Sequence, residues 1–398
     1  MKFYRTLDEV DKSKYIIATY HVTTTTNIQE AAWNIAIGQS VGNPSIRNAW
    51  ETDELFETHS CIILEDPDLL KNLQEKQIKI AFPLSNIDLD SDGISQLLCQ
   101  LMGGQVDINI ISSCKLLDID LPESATKHFL GPKWGLTGFR KFTSQYNKPL
   151  LGGIVKPKIV SNPHMLREMV KQMVEGGVDF IKEDEIMGNI GACPLDVRVD
   201  TVANYLASQS KPVVFCHTIN CDPHIVIDRV KRVYQLGGNG VHINVWSGLG
   251  VYNSIRKLDL PIFLHYQSSG AKIFTDTNHK FSISWKVMCQ LATLMGVDTI
   301  QTGMIGGYSN DNQNDILECI KTLHQGNTIP ALSCGFHPGL VDYVTQVAGV
   351  DYLANVGGAI HGHPEGTLAG TMAMRQAIDN KPSKEYYTAI NKWGMLHP

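Results

Sequence analysis

Long apolar runs are missing from this sequence. No stretch approaches the ~18 residues needed to cross a bilayer, which argues against a membrane-spanning role. The opening MKFYRTLDEVDKSKYI has no apolar core of the kind a secretory signal carries. Neither sign of charge dominates: 34 Lys and Arg stand against 40 Asp and Glu, a net −6, which gives no general pull toward nucleic acid or an anionic membrane. Nine cysteines are present, but no CxxC pair is, and their spacings are wide and irregular. Cys99, Cys216, Cys289 and Cys319 fall inside apolar segments. That pattern reads as buried free thiols in a reducing cytosol, against both a disulfide framework and a zinc site. Low-complexity tracts are lacking too, and no internal repeat stands out beyond a strand-helix unit.

What remains is a globular composition. The hydrophobic share is 43% over 398 residues, and 34 glycines imply many tight turns. That length suits two domains, or one large barrel with an appendage. Short apolar or β-branched runs recur at 150–155, 180–185, 213–219, 240–245, 262–266, 299–304, 331–334 and 352–356. Between them lie amphipathic stretches long enough for helices, among them 165–175, 225–234, 282–295 and 313–324. Strand and helix alternating in this way predict an eight-stranded (β/α)₈ TIM barrel over residues 146–398. Before it the rhythm differs, with strands expected at 15–22, 61–64 and 78–83 and helices at 28–37 and 94–103. This predicts a smaller α+β domain over residues 1–145, joined through the polar segment 141–148.

A barrel of this type carries its active site at the C-terminal ends of its strands. The first predicted barrel strand ends in Lys156-Pro157-Lys158, and the second in Lys182-Glu183-Asp184-Glu185. Alternation along the second strand puts Lys182 and Asp184 on one face, with Glu185 at the turn. Two carboxylates beside one lysine suit a hard, oxygen-seeking cation such as Mg²⁺, provided CO₂ has added to the lysine amine to make it an anionic ligand. A plain interior Lys–Asp–Glu ion-pair set fits the spacing equally well. The seventh and eighth strands end in Ser333-Cys334-Gly335 and Gly357-Gly358. Small residues there let backbone N–H groups approach a phosphate, although glycines also serve simply as turn residues. His217 and His265 stand at strand ends, as site-lining or as structural histidines. His361 and His363 read as organisers of their loop, and Trp246 and Trp285 as packing residues.

The strings GGIVKPK (152–158) and GGVDFIKEDE (176–185), followed by SCGFHPG (333–339) and NVGGAIHGHPEG (355–366), resemble the large chain of ribulose bisphosphate carboxylase. GPKWGLTGFRK (131–141) marks the approach to the barrel, and the likeness runs through essentially the whole chain. The resemblance implies Lys182 as a carbamate ligand that completes a Mg²⁺ site with Asp184 and Glu185. It implies Lys156 as the lysine that moves protons at the enolising carbon, supported by Lys158. Ser333, Gly335, Gly357 and Gly358 would hold phosphate and neighbouring hydroxyls, with His265 lining the substrate pocket. It further implies a cytoplasmic homodimer or larger homo-oligomer acting on a small phosphorylated substrate, the N-terminal domain of one subunit capping the barrel mouth of the next.

Departures from the carboxylase pattern point to a Rubisco-like, non-carboxylating member of form IV. The loop after the sixth strand reads TGMIGGYSND, with Tyr308 where the carboxylases carry a lysine that stabilises incoming CO₂. Tyr308 is at most a lid. Gln267-Ser268 replaces a His-Arg pair that clamps one of two phosphates, Gln301 replaces a histidine, and Gly38 and Gln105 replace a glutamate and an asparagine. The expected activity is therefore formation of an enediolate from a phosphorylated keto-sugar or oxo-acid, of decarboxylase, enolase or isomerase type, without CO₂ fixation. The alternatives are a 2,3-diketo-5-methylthiopentyl-1-phosphate enolase of methionine salvage and an inactive regulatory or binding relative. Gln105 in place of that enolase's basic lysine, and the complete KPK motif, weigh against the first; the intact set of Lys156, Lys158, Lys182, Asp184 and Glu185 weighs against the second.

Overall fold

Burial is nearly continuous along Tyr15–Thr24, which makes it strand β1, the centre of a mixed sheet. The computed structural model describes residues 3–309 and 311–396. Beside β1 run β3 (Glu75–Pro83) and β4 (Ile111–Asp120), both antiparallel to it, and β2 (Ile62–Ile63) pairs with β3 at the edge. The helices Ile28–Gly38 and Gly93–Leu101 bury Ile28, Ile35, Ile94 and Leu97 in this first unit. The strands and helices expected here are present, but β4 was not expected. Its sequence, ISSCKLLDID, is buried only at irregular intervals, so it shows no clean two-residue period.

The barrel strands are β5 (Leu150–Ile154), β6 (Phe180–Lys182), β7 (Val214–Thr218), β8 (Gly240–Asn244) and β9 (Phe263–Gln267). Next in the chain comes β10 (Phe281–Ile283), which pairs in parallel with β4 in the first sheet and so gives it the order β10-β4-β1-β3-β2. The helix expected from residue 282 accordingly starts only at Trp285. After it β11 (Thr299–Gly303), β12 (Ile329–Leu332) and β13 (Leu353–Val356) close the barrel, whose circular order is β11-β12-β13-β5-β6-β7-β8-β9. β12 begins two residues before the expected run, because Pro330 lies inside it. The missing N–H of a proline makes such a stretch read as something other than strand.

The chain divides into two units, residues 3–130 with Ala271–Leu291, and Gly131–Gly270 with 292–396. The division at Leu130 falls ahead of the polar segment taken as a linker. Residues 141–143 of that segment are the last of helix Gly135–Thr143, whose Phe139 is wholly buried in the barrel's floor cluster. Burying a large apolar side chain is worth about 1.5–3 kcal/mol, which ties that helix to the barrel.

Polarity inside the barrel rises toward the strand C-termini. Leu150, Phe180, Val214, Phe263, Ile329 and Leu353 form an apolar floor of fully buried residues. Two residues further along four of these strands, on the same face, come Gly152, Lys182, His265 and Asn355, and two further still Ile154, Asp184, Gln267 and Gly357. The opposite end of the barrel is pinned by buried aspartates. Asp179 accepts from Lys211 at 2.8 Å, from Arg375 at 2.7 Å and from the Leu151 amide at 2.9 Å. Asp298 accepts from Arg256 and the Leu264 amide, both at 2.8 Å. Such networks at the N-terminal ends of barrel strands serve stability. No helix among the described residues is long and apolar enough to cross a membrane.

Candidate active site

The Val155 amide donates to the Lys182 carbonyl at 2.9 Å, extending the β5–β6 ladder past the end of β5 and aligning Lys156 with the carboxylates after β6. Lys156 is ion-paired with Asp184, whose side chain is almost wholly buried. Lys182 is 1% exposed; its ammonium donates to the Glu183 carbonyl at 3.2 Å and lies 3.6 Å from Glu185 Oε2. Burial pushes the Lys182 pKa down, against the pull of Glu185 and Asp184 in the other direction. Burial alone would raise Glu185, but Lys182 and the Ser269 hydroxyl, which donates to Oε1 at 2.7 Å, hold it below the usual carboxylate range.

Lys156, Lys158, Lys182, Asp184 and Glu185 line one cavity of about 540 Å³. Ser333, Gly335, Gly357, Gly358 and Tyr308 line the same cavity. Alternation along β6 thus sorts these side chains correctly. Lys182 and Asp184 face the cavity, whereas Glu183 points the other way to Arg198 Nε at 2.8 Å, His217 Nδ1 at 3.3 Å and the Thr218 amide at 2.8 Å. His217 is therefore structural. Removing one partner of a buried ion pair costs about 3–5 kcal/mol. Arg198→Met, which leaves the buried Glu183 carboxylate only His217 and the Thr218 amide, is expected to lower the unfolding free energy by up to about that amount, read as a lower denaturant midpoint; an unchanged midpoint would show that Arg198 does not support this turn.

The donor set can be tested against a divalent cation. Among the described residues no three His, Cys, Asp or Glu side chains converge as a ready-made metal site. Glu185 stands 3.6 Å from the buried Lys182 amine, and Asp184, two residues on from Lys182, opens into the same cavity paired with Lys156, so a third anionic ligand is one that only a modified Lys182 would supply. A carbamate there makes the set all-oxygen and anionic, which fits Mg²⁺.

One glycine is required by its surroundings, and a second leaves room for a neighbouring lysine. Gly335 has φ +101°, and a Cβ there would lie 2.8 Å from the Tyr308 ring. At Gly357 a Cβ would stand 3.2 Å from Lys156 Cε. Tyr308 itself is 80% exposed, its amide donating to the Cys334 carbonyl at 3.1 Å. The cavity's other lining includes Gln267, Ser269, Gln301 and Asn355, all neutral, together with His337 and Trp393, whose rings stack at 6.3 Å.

His265 is a correction. It does not line the cavity; it is wholly buried one step below Gln267 on β9, its ring 5.9 Å from that of His242. Burial drives its pKa well below the histidine norm, with Lys182 adding to the effect. Alternation gives a residue's face but not its depth in the barrel. His361 and His363 organise their loop as expected, accepting from or donating to Thr367 and Ile154, and Glu385 and Glu365, at 3.0–3.1 Å. Trp246, read as packing, is 62% exposed, and Cys99 is exposed as well. In the first unit Gly38 and Gln105 come together: a Cβ on Gly38 would fall 2.2 Å from Gln105 Cδ, so the glutamine fills that space. The residue missed in the sequence is Asn355, a polar side chain inside an apolar strand and on the cavity-facing side of it.

Residues 135–393 match the family profile for the ribulose bisphosphate carboxylase large chain, catalytic domain, and residues 4–125 that for its N-terminal domain. Ribulose bisphosphate carboxylase of Pyrococcus furiosus is 29% identical over 97% of this chain and 96% of its own. The 2,3-diketo-5-methylthiopentyl-1-phosphate enolase of Exiguobacterium sibiricum is also 29% identical, over 96% of this chain and 99% of its own. The solved structure of the octameric carboxylase from Pyrococcus horikoshii OT3 superposes with a TM-score of 0.89 at 25% identity, covering 98% of this chain and 96% of that one.

Proposed function

The chain belongs to the ribulose bisphosphate carboxylase large-chain family, and within that family we propose that it enolises a phosphorylated keto-sugar or oxo-acid and returns a proton to the enediolate without adding CO₂. The observation that carries this reading is the convergence of Lys156, Lys182, Asp184 and Glu185 in one cavity whose loop after β11 contributes the neutral Tyr308. Lys182 reacts with CO₂ as its neutral amine, forming the N–C bond of a carbamate and releasing a proton; burial favours that neutral form. Mg²⁺ held by the carbamate, Asp184 and Glu185 would supply the positive charge that steadies two adjacent substrate oxygens during enolisation.

Within this reading the chain's own groups do the rest. Lys156, next to Asp184, exchanges the proton at the enolising carbon, and Lys158 neutralises charge at the cavity mouth. Ser333, Gly335, Gly357 and Gly358 receive a single phosphate. The wall formed by Gln267, Ser269 and Gln301 offers no cation for a second one. Decarboxylation of an oxo-acid ends in the same protonation and asks nothing more of these residues. Tyr308 is the lid, and the active species is at least a homodimer, since a barrel-top site needs cover to exclude water.

A second reading, as a 2,3-diketo-5-methylthiopentyl-1-phosphate enolase, is favoured by the enolase relative at 29% identity. Turnover and solvent-deuterium uptake across a panel of phosphorylated keto-sugars, oxo-acids and the methylthio diketone decide between the two. Mg²⁺- and bicarbonate-dependent exchange on a keto-sugar or oxo-acid phosphate is the expected result. Activity confined to the methylthio diketone would establish the second reading, and a chain inert to all of them would be a binding protein.

A further inference from the structure

Asn355 is 1% exposed, and neither its Oδ1 nor its Nδ2 has a hydrogen-bond partner, although the residue lines the site cavity. Buried polar groups are nearly always satisfied, and a buried amide with both ends open marks a place where a ligand or water completes the network. Its neighbour across the β13–β5 ladder is Gly152, and a Cβ at that glycine would sit 3.0 Å from Asn355 Oδ1. The absence of a side chain there is what leaves the amide its room.

The two open ends state what the partner must be. Oδ1 requires a donor and Nδ2 an acceptor. A hydroxyl supplies both. A carboxylate only accepts and leaves Oδ1 unmet, and a thioether accepts weakly and donates nothing. Nearby, Ser333, Gln301 and Gln267 are likewise neutral groups able to donate and accept. Resting on the enolisation reading above, we infer that Asn355 is a specificity-determining residue that binds a hydroxyl on the substrate's carbon chain. The substrate is then a phosphorylated keto compound that keeps a free hydroxyl on its carbon chain, and its analogue lacking that hydroxyl is discriminated against.

The test compares a five-carbon 2-keto-sugar 1-phosphate with its counterparts lacking one hydroxyl each. Sites built to hydrogen-bond a hydroxyl reject analogues lacking it by up to about 10⁴–10⁵-fold. The wild-type enzyme is expected to prefer the fully hydroxylated compound in kcat/KM over at least one deoxy analogue by about 10²-fold or more. Asn355→Leu should shrink that ratio at least about tenfold while still exchanging deuterium into the deoxy compound, and Asn355→Thr, which keeps a hydroxyl and a strand-compatible shape, should retain part of it. Calorimetric binding of the same compounds reads the preference without turnover, and also serves should the leucine variant fold poorly and only the threonine one be usable. An unchanged ratio in both variants, as a bound water alone would give, or no wild-type preference for the hydroxylated compound over any deoxy analogue, overturns the assignment of Asn355. Selective binding without deuterium exchange on any compound would instead bring down the enolisation reading and leave the hydroxyl contact standing.

Discussion

Lys182→Ala is expected to abolish Mg²⁺-dependent deuterium exchange, a loss of at least about 10³-fold given that a single electrostatic donor in such a site is worth roughly 10²–10³. The substitution removes the amine that would become the third anionic ligand and leaves Asp184 and Glu185 alone in the cavity. Because Lys182 is buried with its amine 3.6 Å from Glu185, circular dichroism must first establish that the variant is folded. A small carboxylic acid added to the buffer should restore a fraction of the activity by occupying the space of the missing carbamate. Mass spectrometry of the wild-type protein in bicarbonate and Mg²⁺ should place the added CO₂ on Lys182. Full activity in Lys182→Ala would remove the basis for the metal assignment.

The groups behind that expectation were legible in the sequence to different degrees. Two-residue alternation from Phe180 onward sorted Lys182 and Asp184 from Glu183, because a strand buried on both faces still alternates and each face has its own chemistry. Position at a strand end did not suffice for His265. It sits a step below the cavity, and depth depends on how adjacent strands stagger, which no single strand's sequence contains. Asn355 escaped notice because it is a lone polar residue in the run Leu353–Val356, where the apolar neighbours dominate the pattern. Strands β4 and β10 escaped for a related reason: each is held by long-range pairing, β4 beside β1 and β10 beside residues 114–116 of β4, across separations that local periodicity does not register. The eight barrel strands were found within a few residues because each is a short apolar run bounded by turn residues.

Lys156→Ala is expected to lower exchange by about 10²–10⁴-fold, the usual contribution of one acid–base group, with little change in the fold, since its side chain is only partly buried. Its ion pair with Asp184 holds it at the site cavity, and on the proposed reading it is the acid that returns the proton. The competing fate of the enediolate is attack on CO₂, which needs a positive charge above the reacting carbon. In a water-poor site one lost donor of that kind costs roughly 3–4 kcal/mol. Tyr308 can offer at most a neutral hydrogen bond, and Gln267, Ser268 and Gln301 add no charge. Proton return should therefore outrun carboxylation.

The measurement that bears most directly on this account incubates the Mg²⁺- and bicarbonate-activated enzyme in deuterated water, with its keto-sugar phosphate substrate in one arm and with ribulose bisphosphate and labelled bicarbonate in the other. The account predicts deuterium in the substrate, lost in Lys156→Ala, and no acid-stable label in the second arm. Acid-stable label fixed from bicarbonate would contradict it.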